Sequence, residues 1–442
     1  MIQTVRNAWR IPELRKKILF TLFILLIYRL GNAVPVPFVD LDMVGNYFAS
    51  MGNTALGLLN AMSGGAFANA TIFALSIQPY INSSIIIQLL TVAIPALERM
   101  QKEGGEEGRK KLAAITRYTT VAIALLQGFG FYMLMRVGTS DGTMLTDTSV
   151  WAAIVIIATF TAGSVFLMWL GEQITEFGIG NGISIILFAS IVSRVPSMVY
   201  SLYIGLRNHY SGVELGESSL NFSALGVIGI VIGILAIVVF IVFISNAERR
   251  IPIQYAKRVV GRKMYGGQSS HLPIKVNMSG VMPIIFAQAI ASLPATIAAF
   301  MPSPAEGSFW AGFLRAFDTS SIIYIIIYFL LILAFSYFYA SIQFNPVEVS
   351  NNLKKNGGFI PGFRPGKPTA DFIRNVLGKI TLFGAIYLAV IAIAPIITSN
   401  IIGVSSLAIG GTSIIIVVGV ALETVKALEA QMLMRHYKGF LE

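Results

Sequence analysis

Long apolar runs separated by short polar and basic stretches fill this chain from end to end. A helix needs about 20 apolar residues to cross a bilayer. On that measure, spans are expected near Ile18–Val36, Leu112–Val137, Val150–Leu170, Gly182–Ile204 and Phe222–Ile244. Four more are expected near Met278–Phe300, Ile322–Ser341, Phe372–Ile397 and Ile402–Leu422. One further segment, from Thr54 to Leu90, is irregular. A short apolar piece (Ala55–Met62) runs into Ser63-Gly64-Gly65, and Gln78-Pro79 interrupts the next piece. Broken segments sit at membrane depth only where protein or a water-filled cavity satisfies the freed backbone groups. The pattern predicts a short half-helix, a glycine hinge, and then a spanning helix bearing Ile81 and Ile85 that ends near Pro95. Counting that segment, ten spans are expected.

Composition agrees with this picture. The chain is 55% hydrophobic and 12% charged, against about 25% charged in soluble domains, and its mean hydropathy is +0.74. The net charge of +11 is spread unevenly. One side of the predicted membrane collects Arg6, Arg10, Arg15, Lys16 and Lys17, then Arg99, Lys102, Arg109, Lys110 and Lys111. The same side holds the basic residues between spans six and seven, those between spans eight and nine, and Lys426, Arg435 and Lys438. The other side shows little beyond Arg136, Arg207 and Arg315. Basic residues accumulate in cytoplasmic loops, so both termini are expected in the cytoplasm. Arg29 interrupts the first apolar run and no small-x-small site follows it, so that run is expected to be an uncleaved span. Before it, Ile2–Leu14 mixes Ile2, Val5, Trp9 and Leu14 with basic residues, the pattern of an interfacial helix.

Two cytoplasmic loops are long, about 245–277 and 342–371. In the first, Ile251, Ile253 and Tyr255 alternate after Glu248-Arg249-Arg250, which predicts a strand or hairpin. The second carries Lys354 and Lys355, then GGFIPGFRPGKP, whose Gly and Pro density predicts an irregular shaped loop presenting Arg364. Loops of this length are usually functional or disordered, and docking surfaces are the expectation.

Catalytic chemistry is not visible. There is no cysteine, which removes disulfides and thiolate sites. There is no GxxxxGK[ST] sequence, and Gly178-Ile179-Gly180-Asn181-Gly182 reads as a tight turn into span five. His209, His271 and His436 are separate and are expected in loops or the tail. No cofactor or metal is expected. Carboxylates are nearly absent from span interiors, because Glu172, Glu176 and Glu423 fall near ends. Ion-coupled carriers bury such groups on the ion path, so a small-solute secondary transporter is the second choice. Gln88, Gln127 and Gln288 suit either a polar lining or interhelical glue. Ile81 and Ile85, Ile183 and Leu187, Met282 and Ile285, and Ile416 could close a pore by dewetting. Aliphatic residues are so common here that periodicity alone does not separate pore-facing from lipid-facing ones.

Six stretches carry a family resemblance over nearly the whole chain. They are NAMSGGAFANATIFALSIQPYINSSIIIQLL (60–90), GEQITEFGIGNGISI (171–185), ERRIPIQYAKR (248–258), VNMSGVMPIIF (276–286), NNLKKNGGFIPGFRPGKPTA (351–370) and GGTSIII (410–416). With these the chain resembles the SecY family of bacterial protein-conducting channels. The resemblance implies an all-α polytopic membrane protein. Its ten helices would form two pseudo-symmetric halves, 1–204 and 205–442, around a central hourglass pore. It implies a plug at about 54–69 that includes Leu56, Leu59, Asn60, Met62, Ser63, Gly64, Gly65 and Ala66. It implies a pore ring of Ile81, Ile85, Ile183, Leu187, Ile285 and Ile416 with Met282 beside it; Leu187 and Met282 depart from an all-isoleucine ring. Spans two and three would face spans seven and eight as a lateral gate lined by Gln88, Gln127 and Gln288. Arg249, Arg250, Lys257, Arg258, Lys354, Lys355 and Arg364 would dock the SecA ATPase or the ribosome. SecE and SecG subunits, signal sequences, unfolded polypeptide and membrane lipid are the other implied partners. The implied location is the bacterial cytoplasmic membrane.

Overall fold

The computed structural model describes residues 2–50, 60, 63–102, 104–137, 142–211, 223–255, 258–260, 263–265, 269–278, 280–299, 309–317, 321–402 and 411–438. In chain order the described elements begin with α1 (Ile2–Arg10), α2 (Pro12–Gly31), α3 (Leu41–Ser50), α4 (Gln78–Ala93), α5 (Pro95–Lys102) and α6 (Gly105–Val137). Next come α7 (Val150–Phe177), α8 (Gly182–Val192), α9 (Val195–Ser211), α10 (Ala224–Asn246), β1 (Glu248–Tyr255), β2 (Arg258–Val260), β3 (Lys263–Tyr265) and β4 (Ser269–Lys275). The chain continues with α11 (Met282–Ala291), α12 (Leu293–Ala299), α13 (Phe309–Ala316), α14 (Ile322–Gln343), α15 (Pro346–Lys355), β5 (Gly358–Phe359), α16 (Lys367–Ile402) and α17 (Gly411–Lys438).

Among the described residues, six helices are long and apolar enough to cross a membrane, or seven if α4 and α5 form one span bent by 105°. Side-chain caps set several helix starts. Ser149 accepts a hydrogen bond from the Ala152 amide, Asn181 from those of Ile183 and Ser184, and Ser223 from that of Gly226. Each satisfies an amide that the first helical turn leaves unpaired.

Several boundaries differ from the sequence-based expectation. The first span begins at Pro12 rather than Ile18, because Pro fits the first helical turn and Arg15–Lys17 continue the helix. Gln78-Pro79 opens α4 instead of interrupting a helix, for the same reason. Span five is two helices, α8 and α9, separated at Ser193-Arg194. Span seven is also in two pieces, with α11 only 10 residues long and Ser292 between it and α12. Ile402, expected to start span ten, instead ends α16. Its predicted continuation over 403–410 lies outside the described residues. His209 and His436 are on helices and His271 is on β4, rather than in loops or the tail.

The irregular segment has a physical explanation. Residues 63–77 form a run of turns with one isolated bridging pair, not a helix. Its backbone groups are satisfied by neighbours: the Ile72 amide donates to the Val34 carbonyl (3.0 Å), and Val36 donates to Ala70 (2.9 Å). From α7, the Ser164 hydroxyl donates to the Ser76 carbonyl (3.2 Å). Phe67, Ala70, Ala74 and Leu75 enter a cluster with Phe48, Phe131, Met135 and Phe160, where the Phe67 and Phe131 rings meet edge to face at 5.0 Å, while Phe73 and Ile77 join the larger core. Non-helical backbone at membrane depth is tolerated only with such cover.

The larger core joins both halves of the chain. It draws buried side chains from α2, α4, α7, α8, α10, α11, α14, α16 and α17. Close helix approach explains one glycine pair: a Cβ on Gly182 would sit 2.0 Å from the Gly171 carbonyl oxygen, so only glycine lets α8 lie against α7 there.

At one end of the bundle β1 pairs antiparallel with β4, and β2 with β3, as the hairpin expectation requires. The second long loop is more ordered than expected. It forms α15, capped by the Asn345 side chain, and then β5, which adds to the free edge of β1. Ile251 packs with Ile274, Ile360, Ile373 and Leu377, and Ile253 is buried too. The two loops therefore share one small core.

Candidate functional site

The expected ring residues come from four helices and meet in the larger core. Ile81 and Ile85 lie on α4, Leu187 on α8, Ile285 on α11 and Ile416 on α17, and all five are buried. Ile183 and Met282 are partly buried and pack against the same cluster. A cavity of about 510 Å3 explains the exposure of Ile183: it opens beside that side chain and is lined also by Tyr80, Arg117, Trp169, Glu172 and Asn181. Arg117 and Glu172 form an ion pair across it (2.9 Å). Among the described residues the buried polar side chains are Ser, Thr and Gln, with no buried Asp, Glu, Lys or Arg. The buried cluster therefore holds no fixed charge.

Of the expected plug residues, Leu56, Leu59 and Met62 lie outside the described residues. Asn60 organises the turn beside it: its carbonyl accepts from the Gly65 amide (2.9 Å) and the Ser63 hydroxyl (3.0 Å), and its Oδ1 accepts from the Ala68 amide (3.0 Å). Ser63 and Ala66 are buried. Gly64 and Gly65 both have positive φ, +72° and +88°, so the expected hinge is a turn that favours glycine. Gly64 also faces α8 closely: a Cβ there would come within 2.8 Å of the Ser190 carbonyl and 2.9 Å of the Ser193 hydroxyl. Tyr28 of α2 completes the seat. Its hydroxyl lies 2.6 Å from Ser190 Oγ and 3.5 Å from the Ser63 carbonyl, and its ring stacks on Phe73. Tyr28 and Ser190 are not marked in the sequence, where a tyrosine and a serine 162 positions apart carry no shared signal.

The three glutamines do not act alike. Gln88 (α4) accepts a hydrogen bond from the hydroxyl of Tyr339 (α14), and its amide nitrogen donates to Ser84 Oγ (3.2 Å). Gln288 (α11) is buried, and its Oε1 has no partner among the described residues. Gln127 (α6) is half-buried. Tyr339 is a further residue that sequence reasoning missed. Its one signal was a polar tip within the apolar run of α14.

The expected docking residues are spread over β1, β2, α15 and the turn before α16. Arg249, Lys354, Lys355 and Arg364 are exposed. Arg250 is exposed but paired with Glu248 (2.7 Å). Arg258 lies on β2, and Lys257 is outside the described residues. The GFRPG turn is pinned from both sides: Thr369 donates to the Arg364 carbonyl (2.8 Å) and Ser350 to that of Gly366 (2.7 Å).

Fold and site together define a multi-span helical membrane protein with a buried aliphatic centre and a basic sheet at one end. A family model described as SecY matches residues 71–425. Proteins named "Protein translocase subunit SecY" are 44% identical in Streptomyces coelicolor, 44% in Bacillus licheniformis and 43% in Mycobacterium bovis, each over 100% of both chains. The chain belongs to the SecY family of protein translocase channel subunits. Solved structures share the fold at low identity. "The structure of a protein conducting channel" has a TM-score of 0.64 at 18% identity, covering 95% of this chain and 92% of that one. Canine Sec61 in a ribosome-channel complex has a TM-score of 0.60 at 16% identity, covering 95% and 92%.

Proposed function

We propose that this chain forms the pore through which unfolded secretory proteins cross, and apolar segments enter, a bacterial cytoplasmic membrane. The observation that carries this is the convergence of Ile81, Ile85, Leu187, Ile285 and Ile416, from four helices, in one buried cluster without charge. Aliphatic walls grip a passing chain of any sequence without hydrogen-bond preference, and in its absence they exclude water and ions. Residues 54–69 act as the plug that closes the resting channel. Spans two and three part from spans seven and eight to release apolar segments into lipid, because such segments gain by partitioning and polar ones do not.

The complete arrangement has ten spans in two halves, 1–204 and 205–442, with both termini cytoplasmic. The basic asymmetry along the sequence supports that topology. The exposed cations on the β1 and α15 loops fit a docking surface for the SecA ATPase or the ribosome, and SecE and SecG complete the channel. Force comes from those partners, in keeping with the lack of a nucleotide-binding sequence. A coupled small-solute carrier is disfavoured, because no carboxylate or cation among the described residues is buried in the bundle. The test is reconstitution: this chain with SecE, SecA and ATP in vesicles translocates a presecretory protein. Equal translocation by vesicles lacking the chain would refute the proposal.

A further inference from the structure

Between β4 and α11 the chain returns from the hairpin to the bundle and passes over a small cavity. The Val276 amide donates to the Ala247 carbonyl (2.9 Å), which closes the base of the hairpin. The Val276 carbonyl lies hard against α16, where a Cβ on Gly384 would come within 2.5 Å of it. The next residue, Asn277, lines the cavity together with Ser336 and Ala340, one turn apart on α14, and Thr381, Ala385 and Leu388, on one face of α16. The cavity measures about 10 Å3, which is room for one water and for nothing larger.

Two polar atoms on its wall, Asn277 Oδ1 and Ser336 Oγ, are buried and have no hydrogen-bond partner among the described residues. Ser336 is only 2% exposed. Elsewhere in the bundle buried hydroxyls donate to the carbonyl four residues back, as Ser190 does to Ile186 (2.8 Å) and Thr120 to Thr116 (2.7 Å). Ser336 makes no such bond to its own helix. A buried polar group left unpaired is costly, and buried polar atoms are nearly always paired with protein or ordered water. Two such atoms on one cavity point to one shared partner. That partner must donate to an amide oxygen and pair with a hydroxyl, which a water does at once. A cation fits less well, because no charged side chain lines the cavity to replace its lost hydration.

We propose that one structural water occupies this cavity, donates to Asn277 Oδ1 and accepts from the Ser336 hydroxyl, and so ties the segment entering α11 to α14. Thr381 gives the site a third polar side chain. The bridge holds the root of the helix that carries Ile285 into the central cluster. A bridging water re-aims its bonds when the groups on either side shift, so the root of α11 is held without being locked.

The experiment is a map of the complex in lipid nanodiscs, fine enough to show ordered water, for the parent and for Ser336→Val. The parent shows one density within about 3.2 Å of both Asn277 Oδ1 and Ser336 Oγ. In Ser336→Val a methyl group takes that room and the density is lost. Thermal melting of the same complexes is the second readout. Ser336→Val and Asn277→Leu each strand the opposite atom and lower the melting temperature by about 2 °C or more. The double variant melts no lower than the worse single, because both ends of the bridge are gone together. A dry cavity in the parent overturns the proposal, as does a direct Asn277–Ser336 hydrogen bond, and so do additive melting shifts. If Ser336→Val does not assemble, Ser336→Ala takes its place in the melting series, and the parent map alone decides whether the water is there.

Discussion

The Tyr28 hydroxyl and the Ser190 side chain meet at 2.6 Å and join α2 to α8 beside the Ser63-Gly64 turn. Ser190 Oγ also donates to the Ile186 carbonyl (2.8 Å), which leaves Tyr28 as the donor in the pair. Tyr28→Phe keeps the ring on Phe73 and removes only the hydroxyl. The expected cost is about 1 kcal/mol of seat stability. Resting ion conductance in planar bilayers rises modestly, and substrate translocation is retained.

Gly64 and Gly65 separate two causes of strain. Both have positive φ, but a Cβ on Gly64 would press on the Ser190 carbonyl, whereas Gly65 has open space around it. Gly65→Ala therefore meets only the backbone penalty, of about 1 kcal/mol. Gly64→Ala meets that penalty and a backbone clash, so it unseats the turn. Resting conductance is expected to rise much more for Gly64→Ala than for Gly65→Ala, as measured on both proteins side by side. Equal conductance in the two would mean that contact with α8 is not what seats the turn.

The contrast between these glycines shows what the sequence could convey. The glycine pair, the long apolar runs, the β1–β4 hairpin and the aliphatic positions of α4 all leave local patterns, and each is legible. The Ser190 contact, the Tyr339–Gln88 bond and the addition of β5 to β1 are made between distant parts of the chain and leave none. Helix ends are misjudged where proline opens a helix, as at Pro12 and Pro79, because the same residue also ends one. The Gly and Pro density around Arg364 does predict a shaped turn. It hides α15 and β5, which the preceding residues form by packing and pairing against α16 and β1.

Adjacent isoleucines on α4 test the pore ring. Ile85 is 4% exposed within the central cluster, while its neighbour Ile86 is 42% exposed on the outer face. Ile85→Asn places an amide among aliphatic side chains, at a cost of roughly 1–3 kcal/mol, and wets the constriction. Ion conductance of the resting channel is expected to rise severalfold. Ile86→Asn faces outward and leaves conductance unchanged, although it lowers thermal stability in lipid. A result in which both variants leak equally would place the constriction elsewhere.

Charge reversal on the two long loops separates a free cation from a paired one. Arg364 is exposed on a turn pinned by Thr369 and Ser350, so Arg364→Glu reverses the charge without loosening the turn. Arg250 is already neutralised by Glu248, and an exposed pair of this kind contributes little to stability. For docking of an acidic partner surface, Arg364→Glu removes a favourable contact and adds a repulsive one. SecA-stimulated translocation is then expected to fall about tenfold or more, with the deficit growing as salt is lowered, because repulsion is less screened. Thermal melting of the complex stays within the parent's range. Arg250→Gln frees Glu248 and produces a smaller loss. If Arg364→Glu transports normally at low salt, the GFRPG turn is not a partner contact, and the basic character of this loop reflects membrane topology alone.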